Sequence, residues 1–258
     1  MPQPIDGAVL FELWERGLAL PAGAADGARA DAALAAAGVA PPASLGERNR
    51  RLIEMHCDLF GHALALLSRC PACGVAVEFE ADAAALAPQL QATGAAGPHR
   101  LEWNGHAISF RLPAAVDLAE AGADSDGDGD GDEAFARRVL RRCVLAARRA
   151  SDEAGAEDSG AVVAFDALPA AALDAISTRM EQIDPAASVA FSLECPGCAS
   201  RWSAPLDLAQ LVWRKLQAAA EGLLRDIDAL ARAYGWSERD VLRLSPLRRA
   251  AYLQMVSA

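Results

Sequence analysis

Several patterns that would mark an enzyme or a membrane protein are absent from this 258-residue sequence. It has no P-loop, no G-x-S-x-G turn and no H-E-x-x-H motif, and its four histidines follow no pattern. It also lacks the run of about 18 apolar residues needed to cross a bilayer. Its first residues lack the basic and apolar regions of a secretory signal. We therefore expect a soluble, cytoplasmic, non-enzymatic protein that binds neither a small-molecule substrate nor a membrane.

Aromatic residues and lysine are also scarce. Aromatics make up 5% of the chain, and Lys215 is the only lysine, so arginine carries almost all the positive charge. The net charge is −11, which argues against a general nucleic-acid-binding surface. Hydrophobic residues reach 53%, and alanine and leucine dominate them, which favours helix. The composition predicts a mainly helical α+β protein.

Four of the six cysteines form two Cys-Pro-x-Cys motifs, at Cys70 and Cys73 and at Cys195 and Cys198. In a reducing compartment such cysteines are more often metal ligands or buried thiols than disulfides. Two thiolates on one tight turn can reach a metal at about 2.3 Å, and two such turns make a closed Cys₄ site. We expect one structural Zn²⁺ shared by two zinc knuckles. Unmetallated turns and a redox dithiol pair are the open alternatives.

The other candidate ligands are less specific. Cys57 and Cys143 fall on predicted helices, where cysteine is usually a small buried apolar residue, and His56 is expected on a helix surface or in the core. The acidic run 120–133 has alternating aspartates, as calcium loops do. The register that starts at Asp124 lacks a glutamate at the twelfth position. We interpret the run as a solvated segment.

Hydrophobic periodicity and capping residues predict the secondary structure. Asn104-Gly105 is a favoured hairpin turn, and Gly235 can end the longest helix. A short helix-turn-helix tail follows that helix. The predicted helices are 8–20, 28–38, 45–67, 83–90, 133–150, 168–183 and 207–234, and the predicted strands are 75–79, 189–194 and a hairpin over 100–112.

The sequence around the two cysteine motifs repeats at an offset of 125 residues. The offset brings Cys70 onto Cys195 and the capping Asp82 onto Asp207. We therefore predict two related halves, each with its own knuckle, separated by an insertion. The predicted divisions are an N-terminal helical unit at 1–92, the insertion with a hairpin, acidic linker and helix at 93–165, and a C-terminal unit at 166–258.

The C-terminal part of the sequence resembles a known family. From Leu230, the pattern Leu-Ala-x-x-Tyr-Gly-Trp-Ser-Glu-x-x-Val-Leu-x-Leu-Ser-x-x-Arg-Arg-x-x-Tyr-Leu is similar to a tail in small proteins of contractile phage tail gene clusters. Cys-Pro-Gly-Cys-x₃-Trp-x₄-Asp-Leu at 195–208, followed by the helix with Trp213, resembles the T4-type baseplate hub assembly chaperone family. The resemblance covers about 45–258. Ala199 stands where that family usually has glycine.

This resemblance implies a structural or assembly protein of a contractile phage tail or a phage-derived injection system. Such a protein binds other tail and baseplate hub proteins in the bacterial host cytoplasm, and can be retained in the assembled particle. The alternative is a zinc-ribbon regulator that binds nucleic acid or transcription machinery, which would need a basic stripe near a knuckle. The residues predicted to contact a partner are Trp213, Tyr234, Trp236, Arg248 and Arg249.

Overall fold

A computed structural model of the chain describes residues 6–86, 90, 97–124, 131–149 and 161–256. Its helices and strands alternate along the chain in the order α1–α3, β1–β2, α4, β3–β4, α5–α6, β5, α7, β6–β7, α8–α10. Their bounds are α1 Gly7–Leu18, α2 Asp26–Ala36, α3 Leu45–Phe60, β1 Ala63–Arg69, β2 Ala76–Asp82, α4 Ala83–Leu86, β3 His99–Trp103, β4 His106–Phe110, α5 Ala115–Ala123, α6 Asp132–Cys143, β5 Val144–Arg149, α7 Ala170–Ile183, β6 Val189–Glu194, β7 Arg201–Leu206, α8 Leu208–Tyr234, α9 Glu238–Leu242 and α10 Pro246–Val256.

The fold is mixed α+β, as predicted, and its sheets are small. Strands β1 and β2 pair as one two-stranded sheet, β6 and β7 pair as another, and β3, β4 and β5 form a three-stranded sheet in that order. Pairing is antiparallel in β1–β2, β3–β4 and β4–β5. Much of the described chain is therefore helix around short hairpins.

Two local predictions are confirmed. The hairpin predicted over 100–112 is formed by β3 and β4, and its turn residues Asn104 and Gly105 have φ of 42° and 72°. Both values are positive, as the favoured two-residue hairpin turn requires. Helix α8 begins after Asp207, whose side chain accepts a hydrogen bond from the backbone N–H of Gln210 at 3.0 Å, and it ends at Gly235 with φ of 70°.

The prediction of a single helix over 45–67 is wrong. Helix α3 ends at Phe60, and Gly61 follows with φ of 79° and donates its N–H to the carbonyl of Cys57. This is the left-handed geometry that ends many helices. The run that follows contains alanine and leucine, which favour helix, but it pairs with β2 as strand β1. Pairing with a partner strand outweighs helix propensity there.

The helix predicted over 133–150 is also too long. Helix α6 ends at Cys143, and β5 then pairs with β4 along the edge of the three-stranded sheet. The carbonyl of Cys143 accepts a hydrogen bond from the backbone N–H of Arg111 at the point where the pairing begins. The run 144–149 shows no alternation that would predict a strand.

Two predictions fall partly or wholly outside the described residues. Helix 83–90 is described over Ala83–Leu86 only, and residues 87–89 lie outside the description. The calcium loop considered from Asp124 depends on residues 125–130, which also lie outside it.

Contacts between Cα atoms divide the chain into two compact units. Unit 1 contains Met1–Ala40, Arg51–Pro88 and Ala190–Ala258, and unit 2 contains Pro41–Arg50 and Gln89–Val189. Each unit is built from segments that are distant in the sequence. The division into 1–92, 93–165 and 166–258 stays a sequence-based prediction.

Helix α8 supplies much of the core of unit 1. It contacts α1 and α2, and Trp213 is buried against Gly17 of α1, where an added Cβ would come within 2.2 Å of the indole ring. The guanidinium of Arg29 lies over the same ring, 5.8 Å from its centroid. Helical spacing predicts one apolar stripe on this helix, formed by Leu208, Leu211, Val212, Leu216, Leu223, Ile227 and Leu230. All of these residues are buried except Leu211, which is half-buried, and Ala209, Trp213 and Ala220 are buried as well.

Unit 2 has a separate core. It is formed by residues of β4, β5 and α7, with Ile108, Phe110 and Ile176 at 1% exposure or less. Close to it, the guanidinium of Arg111 donates two hydrogen bonds of 2.6 Å to the buried carboxylate of Asp117. Burial alone would raise the pKa of Asp117, but this pair lowers it below its ordinary value.

Candidate metal centre

The first Cys-Pro-x-Cys motif forms the turn of the β1–β2 hairpin. The backbone N–H of Cys70 donates to the carbonyl of Val75, and the N–H of Gly74 donates to the carbonyl of Cys70, both at 2.9 Å. Gly74 has φ of 74°, which glycine adopts without strain. One tight turn therefore carries both Cys70 and Cys73.

The second motif forms an equivalent turn between β6 and β7. The N–H of Cys195 donates to the carbonyl of Ser200, and the N–H of Ala199 donates to the carbonyl of Cys195, again at 2.9 Å. Ala199 has φ of 57°, which costs a non-glycine residue about 1 kcal/mol. The turn thus keeps the left-handed position although alanine stands where the first turn has Gly74.

The two turns bring the four sulfur atoms together. The Sγ of Cys70 lies 3.7 Å from the Sγ of Cys198, and the Sγ of Cys73 lies 3.5 Å from the Sγ of Cys195. All four Sγ atoms lie within 4.8 Å of one another. All four are free thiols, since these contacts are far longer than the about 2.05 Å of a disulfide. The cluster is one that could bind a metal ion.

The spacing of the cluster suits a tetrahedral ion. With Zn–S bonds of about 2.3 Å, tetrahedral geometry sets adjacent sulfurs about 3.8 Å apart. The observed contacts lie close to that value. The first cysteine of each motif is buried, with Cys70 and Cys195 each 2% exposed, whereas Cys73 and Cys198 are exposed. The centre therefore has one protected side and one side open to solvent.

Backbone hydrogen bonds stabilise a thiolate in the second turn. Burial raises the pKa of Cys195, but the backbone N–H groups of Gly197 and Cys198 donate toward its Sγ, and the net effect lowers the pKa to about 7. The distance from Gly197 N to this Sγ is 3.4 Å. Such N–H donation favours the charged form that a metal binds.

In the two exposed thiols of the cluster, contacts with neighbouring sulfurs contribute to a raised pKa. A hydrogen bond from the backbone of Ser200 lowers the pKa of Cys198, but the neighbouring thiols, Cys73 first, raise it to about 12. Donation from the backbone of Val75 lowers the pKa of Cys73, whereas its contact with Cys195 contributes to a net rise. Several thiolates cannot coexist at this distance without a cation between them.

Side-chain contacts hold the two hairpins against each other. The rings of Phe79 on β2 and Phe191 on β6 pack edge to face, with centroids 5.3 Å apart. The indole Nε1 of Trp202 on β7 donates to the hydroxyl of Ser68 on β1 at 3.3 Å. These contacts support the approach of the two turns independently of any ion.

The remaining cysteines lie outside the cluster. Cys143 is fully buried, and burial raises its pKa to about 12. Cys57 is half-buried, and burial and nearby carboxylates, Asp58 foremost, raise its pKa as well. Among the described residues, the candidate metal-binding group contains only the four motif cysteines. Both other cysteines therefore fit the interpretation as inert thiols.

A buried polar contact in unit 1 was not predicted. Lys215 Nζ on α8 donates to His56 Nε2 on α3 at 2.9 Å and to the carbonyl of Ala63 on β1 at 3.3 Å. It also lies 5.3 Å from the ring centroid of Phe60. His56 is fully buried, as the prediction of a core position allowed, but it lies 159 residues from Lys215 in the sequence. Local patterns carry no signal for such a pair.

The residues predicted to contact a partner have different surroundings. Trp213 is 1% exposed and belongs to the core of unit 1, so a partner could touch it only if that unit opened. Tyr234 is 40% exposed and Trp236 is half-buried. Arg248 is exposed, whereas Arg249 is largely buried and forms an ion pair with Asp226 at 3.2 Å.

An aromatic cluster organises the end of the chain. Tyr234 stacks on Trp236 with centroids 4.8 Å apart, and Tyr252 of α10 packs against Trp236 at 4.8 Å and against Tyr234 at 5.8 Å. The predicted site omitted Tyr252, although the tail pattern contains it. Leu247 and Met255 on the same helix are 85% and 59% exposed. This region therefore combines a fixed aromatic cluster with exposed apolar and arginine side chains.

Comparisons with known proteins leave the family open. No protein-family model matches the chain, and neither a search of curated proteins nor a search of solved structures finds a match. Within the described part of the chain, none of the helices combines the length and the apolar character that a membrane span needs.

Proposed function

We propose that the four cysteines hold one structural Zn²⁺ shared by the two turns. The observation that supports this is the cluster of four Sγ atoms within 4.8 Å. Four thiolates around zinc form a closed site with no position left for water, and such sites contribute folding free energy rather than Lewis acidity. The role proposed for the metal is therefore structural.

The size of the hairpins explains why a metal would matter. Each hairpin has only two strands, and an isolated two-stranded sheet is marginally stable in water. Cys70 and Cys198 are separated by 128 residues, so one ion would link segments that are distant in the sequence. We propose the ion as the cross-link that holds the two hairpins of unit 1 together.

We also propose that the chain contains two related halves. At the offset of 125 residues, the start of α3 falls on the start of α7, and the start of α4 falls on the start of α8. Strands β1 and β2 fall on β6 and β7 to within one residue. Asp82 and Asp207 each cap the following helix through a side-chain oxygen. The shared order of helix, strand, turn, strand and capped helix supports a duplication.

The function that we propose is that of a non-enzymatic assembly protein of a contractile phage tail or a phage-derived injection system. It would bind baseplate hub proteins in the bacterial host cytoplasm. The first support is the resemblance of 180–256 to hub assembly chaperones. The second is that the C-terminal region is rich in exposed apolar and arginine side chains.

The contact surface proposed for the partner is the tail surface, defined by Tyr234, Trp236, Arg248 and the exposed Leu247. Aromatic and arginine side chains are the residue types that most often dominate binding energy at protein interfaces. The aromatic cluster fixes the surface before binding, which lowers the entropic cost of association. Arg249 would support this region through its ion pair with Asp226, whereas Trp213 lies near the other end of α8, in the core of unit 1.

Co-purification tests the proposal. The tagged protein is co-expressed with the baseplate hub proteins of its own gene cluster, and we expect a stable complex. The double variant Trp236→Ala/Arg248→Ala should lose most of it. Arg214→Ala is the matched control, because Arg214 is 67% exposed on α8 about 30 Å along the helix from Tyr234.

Two results would count against the proposal. Absence of any hub protein from the purified material would contradict the assembly function. An undiminished complex with the double variant would contradict the tail surface. Recovery of nucleic acid in place of hub proteins would favour the zinc-ribbon regulator.

A further inference from the structure

Two sulfur contacts of the candidate metal centre join different turns. Cys70 of the first turn contacts Cys198 of the second at 3.7 Å, and Cys73 contacts Cys195 at 3.5 Å. Both contacts therefore cross from one hairpin to the other. A disulfide formed along either of them would link the same two hairpins that the proposed zinc links.

Exposure differs in a regular way within these pairs. Cys198 is exposed and its contact Cys70 is buried, while Cys73 is exposed and its contact Cys195 is buried. Each pair thus has one thiol that an oxidant in solution can reach and a second thiol close by that can displace the product. This combination is typical of cysteines that oxidise to disulfides.

We infer that the centre is an oxidation-sensitive cross-link, in which a peroxide converts the four thiolates into the disulfides Cys70–Cys198 and Cys73–Cys195 and expels the metal. The inference concerns the regulation of the proposed zinc site and rests on it for the metal. The reduced centre would link the hairpins through zinc, and the oxidised centre would link them covalently.

The chemistry balances with hydrogen peroxide as the oxidant. The thiolate of Cys198 attacks one peroxide oxygen, the O–O bond breaks, and Cys198 becomes a sulfenic acid while hydroxide leaves. The thiolate of Cys70 then attacks the Cys198 sulfur, the S–S bond forms, and a second hydroxide leaves. Cys73 and Cys195 react in the same way with a second peroxide. Zn²⁺ departs as the aqua ion once its thiolate ligands are lost.

The two other cysteines provide an internal control for selectivity. Cys143 is buried and Cys57 is half-buried, and burial disfavours the thiolate at both. We expect both to stay reduced at the peroxide concentration that oxidises the centre, because both are less exposed than Cys73 and Cys198 and neither belongs to the four-thiol group that zinc would hold as thiolates.

Peptide mapping after oxidation tests whether the disulfides cross from one hairpin to the other. The zinc-containing protein is titrated with hydrogen peroxide in the presence of a zinc-binding dye, and the remaining thiols are alkylated before trypsin digestion. Cleavage after Arg69 and Arg100 releases 70–100, and cleavage after Arg179 and Arg201 releases 180–201. Each peptide contains both cysteines of one motif. Cross-hairpin disulfides therefore join the two peptides, whereas disulfides within a motif leave them separate.

The expected result is release of the bound zinc together with loss of four free thiols and appearance of the joined peptide. Separate peptides with internal disulfides would overturn the inference, as would retention of zinc and all six thiols when a peroxide-sensitive reference thiol is fully oxidised. Sulfinic acids without a joined peptide would overturn it as well.

Two double variants test the individual pairs. Cys70→Ser/Cys198→Ser retains the contacting pair Cys73 and Cys195, whereas Cys73→Ser/Cys198→Ser retains the two buried thiols. We expect disulfide formation to be at least about tenfold slower in the second variant, because it lacks an exposed thiol. Equal rates would contradict the role assigned to exposure.

The design separates this inference from the zinc proposal. Protein purified without zinc would contradict the structural zinc, but the same peptide map would still decide whether the oxidised cysteines pair across the two hairpins or within each motif. Protein that contains zinc but yields no joined peptide would support the structural site and refute its oxidation.

Discussion

At the scale of single residues, the contact between His56 and Lys215 ties the stability of unit 1 to pH. His56 is fully buried, and burial is the main reason why its pKa falls to about 4, with the positive charge of Lys215 as the second cause. Nearby His62 adds a smaller effect in the same direction. The fold therefore requires the neutral imidazole.

We expect acidification to destabilise the protein through this residue. The folded pKa of about 4 lies below the ordinary 6.5, so unfolding takes up a proton between these values. The contribution is fully present above pH 6.5 and is lost as the pH falls toward 4. Its size is roughly 3 kcal/mol at most, and urea denaturation at several pH values measures it.

His56→Gln is the control for this prediction. Glutamine can accept the hydrogen bond from Lys215 but does not titrate. Any metal held by the candidate centre would be released in acid from both proteins, so only the difference between the two stability curves reports on His56. A difference that stays constant from pH 7 to pH 4 would rule out the linkage.

At the scale of elements, local signals predicted helix ends and turns better than strands. Asp207 acts through a side-chain hydrogen bond to the backbone of its own helix, and Gly235 and the Asn104-Gly105 turn act through their backbone geometry. All three are where the sequence placed them. Strands β1 and β5 were missed, because alanine-rich runs look helical until a partner strand is available. Gly61 was the one local signal that could have ended the predicted helix before β1.

Trp213 lies in the core of unit 1, although it was predicted to contact a partner. The stripe of α8 was predicted as a face, and Trp213 lies on its buried side against Gly17. Trp213→Ala should therefore lower the free energy of unfolding by about 3–5 kcal/mol through the cavity that it leaves. Denaturant titration provides the measurement.

Trp236→Ala is the matched comparison for Trp213. Trp236 is half-buried and packs in the aromatic cluster with Tyr234 and Tyr252, so its loss should cost less than about 2 kcal/mol. If the two variants were destabilised equally, the distinction between a core tryptophan and a surface tryptophan would be wrong.

At the scale of the whole molecule, the four-cysteine cluster lies within a unit assembled from three separate chain segments. We predict that Cys195→Ser lowers the stability of the reduced protein by several kcal/mol, because metal binding is coupled to folding. Thermal melts with and without a chelator test this, with Cys57→Ser as the control. Identical melts of the unaltered protein under both conditions would contradict a structural metal.

The cysteine cluster could be predicted from the sequence because its motifs are local, whereas the other long-range contacts of the fold have no local motif. Each turn depends on a few adjacent residues, and the same turn chemistry occurs twice, so Cys70, Cys73, Cys195 and Cys198 stand out without any knowledge of the fold. Which thiol contacts which depends on how the hairpins pack, as does the pairing of Phe79 with Phe191. Contacts of that kind have no local signature.

The separation of the two turns along the chain has a consequence during protein synthesis. Cys73 and Cys195 are 122 residues apart, so at about 5–20 residues per second the ribosome would need roughly 6–25 s to follow the first turn with the second. Throughout that interval the nascent chain can offer a metal only two of the four sulfurs. Tight binding of a metal ion would then become possible only after the second motif has been translated. A product truncated before Cys195 would lack the metal cross-link.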